Sequence, residues 1–209
     1  EILRCLVGSE MCIRDRYPTF SQAFNISGVS EVKSMNTQHK PTYISLFSSA
    51  GVGCYGFKMA GFDCIATNEL LERRLNIQRY NQKCKYPGGY ICGDITQEQT
   101  KKLLYDQLEL WKAKEHLSRV DVVIATPPCQ GMSIANQKKT DTEIVRNSLV
   151  VESIKIIQKI NPRFFVFENV PAFMKTICTD LDGTNKSIAD AIERSLGQEY
   201  SYACLLYTS

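Results

Sequence analysis

The sequence predicts an α/β fold, a mostly parallel sheet with helices on both faces, and three observations predict it. From Pro41 onward, short apolar runs rich in β-branched and aromatic residues alternate with longer stretches of helical spacing. A Gly, Pro, Asn or Asp signal punctuates each change. The chemically unusual residues fall at the ends of the apolar runs, where open parallel sheets bind their ligands.

The runs are YISLFSS (43–49), CIATNE (64–69), YICGDI (90–95), DVVIATP (121–127) and RFFVFEN (163–169). Strands separated by helices must be parallel, and a parallel sheet is covered on both sides. Leu103, Leu104, Leu108, Trp111 and Leu117 place a helix over 97–117. Val145, Leu149, Ile156 and Ile160 place another before the fifth run, and Pro162 stops it after Asn161. These apolar stripes read as core.

Residues 17–40 are polar and weakly patterned, an N-terminal arm, and 41–203 form the domain. The opening EILRCLVGSEMCIRDR and the closing CLLYTS share no periodicity with the interior and resemble translated sequencing-adapter sequence. Residues 1–16 and 204–209 are accordingly read as foreign.

With 209 residues and 44% hydrophobic content, the chain suffices for one domain with a sizeable core. A formal net charge of +3 permits contact with a polyanion without predicting it, so nucleic acid has to be argued from a site. Nine cysteines make an odd count without a C-x-x-C pair, and His39 and His116 are the two histidines. Neither a metal site nor a disulfide framework is expected. The apolar runs fall short of the ~18 residues of a membrane span, and no signal peptide opens the chain. The expectation is a reducing, cytoplasmic compartment with no membrane partner.

After the first run comes FSSAGVGCYGF (47–57), whose Gly51, Gly53 and Gly56 allow a sharp strand-to-helix turn and close approach of a ligand. A glycine-rich turn without a ligand is the plain alternative. The second run ends in Asn68-Glu69, an acid placed after the glycine loop as a ribose acceptor would be. The third ends in Gly93-Asp94-Ile95, whose aspartate can receive a donor such as an adenine amino group. A surface acid or helix cap is the alternative for each, yet together they imply a nucleoside-containing cofactor.

The fourth run delivers PPCQG (127–131). Pro127 and Pro128 fix φ and remove two amide donors, so Cys129 is expected in a pre-ordered turn, as a positioned nucleophile or, alternatively, a structural thiol. Seven of the other cysteines, Cys54 and Cys64 among them, read as small apolar fillers or end-segment residues. The fifth run delivers Glu168-Asn169-Val170. An acid beside RFFVF is expected in an apolar setting, which raises a carboxyl pKa and suits a general acid; a helix cap or ion-pair partner is the alternative. A usual right-handed crossover makes the fourth and fifth strands neighbours, with Cys129 and Glu168 facing one cleft.

SLFSSAG, NE, GDI, PPCQG, RNSL and ENV, in this order, resemble the N-terminal conserved motifs of DNA (cytosine-5) methyltransferases over residues 41–200. The resemblance implies a Rossmann-like S-adenosylmethionine-dependent methyltransferase fold, truncated at the C-terminus. It implies S-adenosylmethionine as cofactor, with Phe47, Ala50 and Gly51 lining its methionine end, Glu69 on the ribose, Asp94 with Ile95 at the adenine, and Gly53 and Pro127 as further cofactor-binding residues. It makes the Cys129 thiolate the group that adds to cytosine C6 while Glu168 protonates N3, on a base swung out of the duplex. Pro128 and Asn169 then shape the pocket, and Arg146 with Asn147 supports its wall.

By the same resemblance the partner is double-stranded DNA, the context a restriction-modification system with a cognate restriction endonuclease, and the protein a monomer. Ser49 departs from the pattern, standing where the family usually has glycine. The chain also stops before the family's Q-R-x-R segment, target-recognition region and last helix, so a catalytic-domain fragment without sequence recognition is expected. An RNA cytosine-5 methyltransferase and a non-catalytic fragment of the same fold are the alternatives.

Overall fold

The computed structural model describes residues 40–128, 149–170 and 172–201. Five strands, β1 (Thr42–Leu46), β2 (Asp63–Glu69), β3 (Tyr90–Cys92), β4 (Val122–Ala125) and β5 (Phe164–Phe167), form one sheet of order β3-β2-β1-β4-β5. Every neighbouring pair is parallel, as the alternation of runs predicts. The order reverses direction between β1 and β4, and it is beyond the carboxyl ends at such a reversal that open α/β sheets bind their ligands.

The helices are α1 (Tyr55–Met59), α2 (Glu72–Tyr80), α3 (Glu98–Glu115), α4 (Leu149–Ile160) and α5 (Ile188–Leu196). On one sheet face Ile44, Leu46, Val123 and Ala125 meet Leu104 and Trp111 of α3 and Ile154 and Ile157 of α4 in one core cluster. On the other, Tyr43, Cys64, Val122 and Ile124 form a second cluster with Cys54 and Cys84, and Phe57 stacks on Tyr43 at 5.0 Å. Each large aliphatic side chain so removed from water contributes about 1.5–3 kcal/mol. β1 is buried throughout and reads as a continuous apolar run for that reason.

Two expectations need correction. Leu103 lies on the solvent side of α3, 48% exposed, and Leu117 is buried beyond the helix end, because His116 adopts the left-handed conformation (φ 53) and stops the helix. Cover on both faces holds for β1 and β4 but not for β5, whose Phe164 and Val166 stay 49% and 39% exposed while Phe165 and Phe167 pack inward. α4 ends as predicted, with Asn161 turning left-handed (φ 49) ahead of Pro162. Its expected beginning at Val145 lies outside the described residues.

A hairpin of β6 (Ile177–Thr179) and β7 (Asn185–Ser187) precedes α5. Ser187 caps α5 by accepting the Asp190 amide hydrogen bond, and its hydroxyl donates to the Asp190 carboxylate at 2.6 Å. No helix among the described residues is long and apolar enough to cross a membrane.

Candidate functional site at the strand ends

Past β1 the chain turns through Phe47, Ser49 and Gly51, all left-handed at φ 55, 50 and 88. Only glycine takes such angles freely, so the turn at Phe47 and Ser49 is held by its surroundings. The Ser48 amide donates to the Asn68 carbonyl (2.9 Å), the Ser49 amide to Glu69 Oε2 (2.8 Å) and the Gly51 amide to the Ser48 carbonyl (2.8 Å). Those amides are thus used within the protein and do not form an open row of donors. A Cβ on Gly51 would come within 3.1 Å of Gln78 Cγ, whereas Gly53 and Gly56 have nothing within 4 Å of that position. Ala50 is half-buried between these two stretches.

Glu69 is 4% exposed, so its carboxylate needs partners to be buried at all. Oε2 accepts from the Ser49 amide, and Oε1 accepts from the Leu71 amide (3.1 Å) and the Arg74 guanidinium (3.1 Å). A carboxylate has about four lone-pair positions, so these three donors leave one, on Oε2. One hydroxyl of a ribose can be accepted there directly. A ligand presenting a second hydroxyl would have to displace Arg74, whose side chain is 43% exposed. Asn68 donates to the carbonyls of Ile91 and Gly93, fixing the end of β3 beside β2.

Asp94 is exposed, and its Oδ1 accepts from both the amide and the hydroxyl of Thr96 at 2.9 and 2.8 Å. That oxygen serves the turn into α3. Ile95 is 2% exposed, so its side chain belongs to the core.

The β4 end is fastened to both of its neighbours. Thr126 donates through its amide to the Leu46 carbonyl (3.2 Å) and through its hydroxyl to the Phe47 carbonyl (2.9 Å). Asn169 Nδ2 donates to the Pro127 carbonyl (2.8 Å), and the Glu168 amide to the Ala125 carbonyl (3.1 Å). Pro127 is buried and Pro128 half-buried. Glu168 is exposed, which corrects the expectation of an apolar setting: β5 turns its outer face to solvent, and the acid follows that face. Cys129, Arg146 and Asn147 lie outside the described residues.

Among the described thiols, Cys54, Cys64, Cys84 and Cys178 are buried and Cys92 is exposed. Burial, with the Asp180 charge behind it, pushes the Cys178 thiol up to about 11, and such a thiol is inert.

The structure thus gathers Phe47, Ala50, Gly51, Glu69, Asp94, Pro127, Pro128, Glu168 and Asn169 at the carboxyl ends of adjacent parallel strands. A buried acid with one open acceptor position, a second acid at the next strand and a left-handed glycine fit a nucleoside-containing molecule. Sequence reasoning missed Thr126, Arg74 and Gln78. Gln78 carried no signal, being one polar residue in the polar stretch ERRLNIQRY.

The model of the family described as C-5 cytosine-specific DNA methylase matches residues 42–203. The chain is 34% identical over 161 residues to Type II methyltransferase M1.HgaI of Avibacterium volantium, covering 75% of this chain and 42% of that protein. It is 32% identical over 180 residues to Type II methyltransferase M.NmeDI of Neisseria meningitidis serogroup C, covering 82% and 40%. With Type II methyltransferase M.AquIA of a Picosynechococcus species it shares 33% over 161 residues, 77% of this chain and 60% of that one. The chain therefore spans less than two thirds of the length of each of these relatives.

Proposed function

Since the chain belongs to the C-5 cytosine-specific DNA methylase family, we propose that it carries the methyl-donor site and the catalytic loop of a DNA cytosine-5 methyltransferase acting in a restriction-modification system on double-stranded DNA. The observation that supports this most is the reversal of strand order between β1 and β4, with the glycine turn, Glu69 and the Pro127-Pro128 segment grouped at the strand ends.

Glu69 takes a ribose hydroxyl at its open Oε2 position, Asp94 accepts from the base, and the Phe47–Gly51 turn lies against the methionine end. S-adenosylmethionine, when bound there, supplies an electrophilic methyl group. The chain's own chemistry is directed at the cytosine. Its C5 is a poor nucleophile until the Cys129 thiolate adds to C6 and Glu168 gives a proton to N3, which turns the ring into an enamine. Asn169 holds the Pro127 carbonyl at 2.8 Å and so steadies the segment that leads into Cys129. An exposed Glu168 is open to a base flipped out of its duplex, and packing against that base supplies the apolar setting its role needs.

The test uses duplex DNA in which 5-fluorocytosine replaces cytosine, incubated with S-adenosylmethionine and the protein. The fluorine blocks loss of the C5 substituent, so a covalent protein–DNA adduct accumulates and survives denaturing electrophoresis. Cys129→Ser is expected to abolish the adduct; an adduct of equal yield from that variant rejects the nucleophile.

A further inference from the structure

Gln78 of α2 is 1% exposed and bonds in two directions. Toward the sheet its Oε1 accepts from the Thr67 hydroxyl (2.8 Å) and from Lys83 Nζ (3.0 Å). Toward the β1 turn its Nε2 donates to Ser48 Oγ (2.8 Å) and to the Ser49 carbonyl (2.6 Å). Its methylene groups also lie where a Cβ on Gly51 would come within 3.1 Å. Three of the five residues in the 47–51 turn therefore rest on this one side chain. Two of the left-handed residues in that turn, Phe47 and Ser49, are not glycine and relax unless something holds them.

Lys83 completes the anchor. Its ammonium donates to Thr67 Oγ1 (3.0 Å) and contacts Cys54 Sγ (3.1 Å) besides Gln78, tying the end of α2 to β2 and to the start of α1. We propose that Gln78 is a positioning residue for the methyl-donor site, setting the affinity for S-adenosylmethionine by holding the Phe47–Gly51 turn in its left-handed course. The proposal rests on the reading of that turn as part of the donor site. Gln78 acts through Ser48, Ser49 and Gly51 and not by touching the donor.

Gln78→Glu separates the two directions. A carboxylate still accepts from Thr67 and pairs better with Lys83, so the anchor is kept, but it has no hydrogen for the Ser49 carbonyl and repels it. Ser48→Ala is the second variant: it removes the Oγ that accepts from Gln78 and, with it, that hydroxyl's own bond to the Asn68 carbonyl (3.0 Å), while the Ser48 amide keeps its bond to the same carbonyl. Both are made in the 209-residue chain and read by three measurements: thermal midpoint, amide hydrogen exchange of the ligand-free protein, and calorimetric titration with S-adenosylmethionine. For Gln78→Glu the expected result is a midpoint close to the parent, exchange at least tenfold faster in 47–53 with β2 and β4 unchanged, and at least tenfold weaker binding. Ser48→Ala is expected to show the same pattern at smaller size.

Unchanged exchange in 47–53, or parental affinity with a loosened turn, overturns the proposal. So does a loss of protection spread evenly over the sheet, which marks a general packing role. A parent that binds no S-adenosylmethionine while Gln78→Glu still loosens the turn rejects the donor-site reading and leaves the holding contact itself intact.

Discussion

Ser49 and Gly51 lie two positions apart in one turn, and their torsions assign them different tolerances. At φ 50 Ser49 carries the penalty of an L-residue in the left-handed region, about 1–2 kcal/mol, which glycine would not. Its side chain is exposed, and its useful groups are the amide on Glu69 and the carbonyl on Gln78. Ser49→Gly is therefore expected to keep or raise stability. Gly51 at φ 88 faces the Gln78 side chain, and Gly51→Ala adds both torsional strain and a 3.1 Å approach. A loss of about 1–3 kcal/mol is expected there. Urea midpoints at unchanged slope check both, and equal losses at the two positions would contradict the torsional account. The sequence, through its resemblance to the family, marks position 49 as a place for glycine, and the torsion supplies the physical reason. It also makes Glu69 legible, as an acid ending a buried run. Its three donors are not legible, because Arg74 and the Leu71 amide reach it only once α2 has folded back.

At the scale of elements, strand positions follow from sequence because a run buried on both faces cannot be polar, and every strand of the main sheet falls on its predicted run, with β1 and β2 each beginning one residue earlier. The hairpin of β6 and β7 and the helix α5 were not anticipated. Strands of three residues have too little alternation to register, and α5 is recognisable mainly by its Ser187 cap. The contact between α3 and α4 is equally hidden. Lys101 Nζ lies 2.7 Å from Glu152 Oε2 and 2.9 Å from Glu98 Oε1, with the Lys101 and Glu152 side chains only 12% and 14% exposed. Burial pushes the Glu152 carboxyl up, but hydrogen bonds from Lys101 and Lys155 outweigh it and hold the group below its ordinary value. Burial likewise lowers Lys101, and its bonds to Glu152 and Glu98 more than compensate, leaving it raised. A depressed carboxyl contributes stability that is complete above the unfolded value of about 4.3 and is lost as pH falls through the folded value. A raised lysine contributes stability that is complete below about 10.4 and is lost as pH rises through its folded value. The pair is at full strength between those limits. Glu152→Gln is expected to lower stability at pH 7 and to flatten the decline between pH 5 and pH 3. Parallel declines in parent and variant would show that the pair does not couple the helices.

For the whole molecule, alternation of runs predicts parallel strands but not their order. The order β3-β2-β1-β4-β5 depends on which way each connection crosses, and it decides that the β1 and β4 ends lie side by side where the order reverses. With the proposed donor contacts on β1, β2, β3 and β4, binding draws on the packing of most of the sheet, and unfolding the sheet destroys every contact together. A ligand that binds only the folded chain stabilises it by about 2.7 kcal/mol at a free concentration of one hundred times its dissociation constant. For a domain of this size that amounts to a rise in thermal midpoint of about 5–10 °C. S-adenosylmethionine is expected to produce that rise, increasing with the logarithm of its concentration. Glu69→Gln is expected to remove most of it. The amide keeps one oxygen for a backbone donor but loses the charge that Arg74 pairs with and puts an NH2 group against either the Ser49 or the Leu71 amide. The variant's ligand-free midpoint therefore falls as well, and only the rise above that new baseline reports on binding. A full rise retained in Glu69→Gln would remove the acid from the donor site while leaving its role in holding the β1 turn to β2.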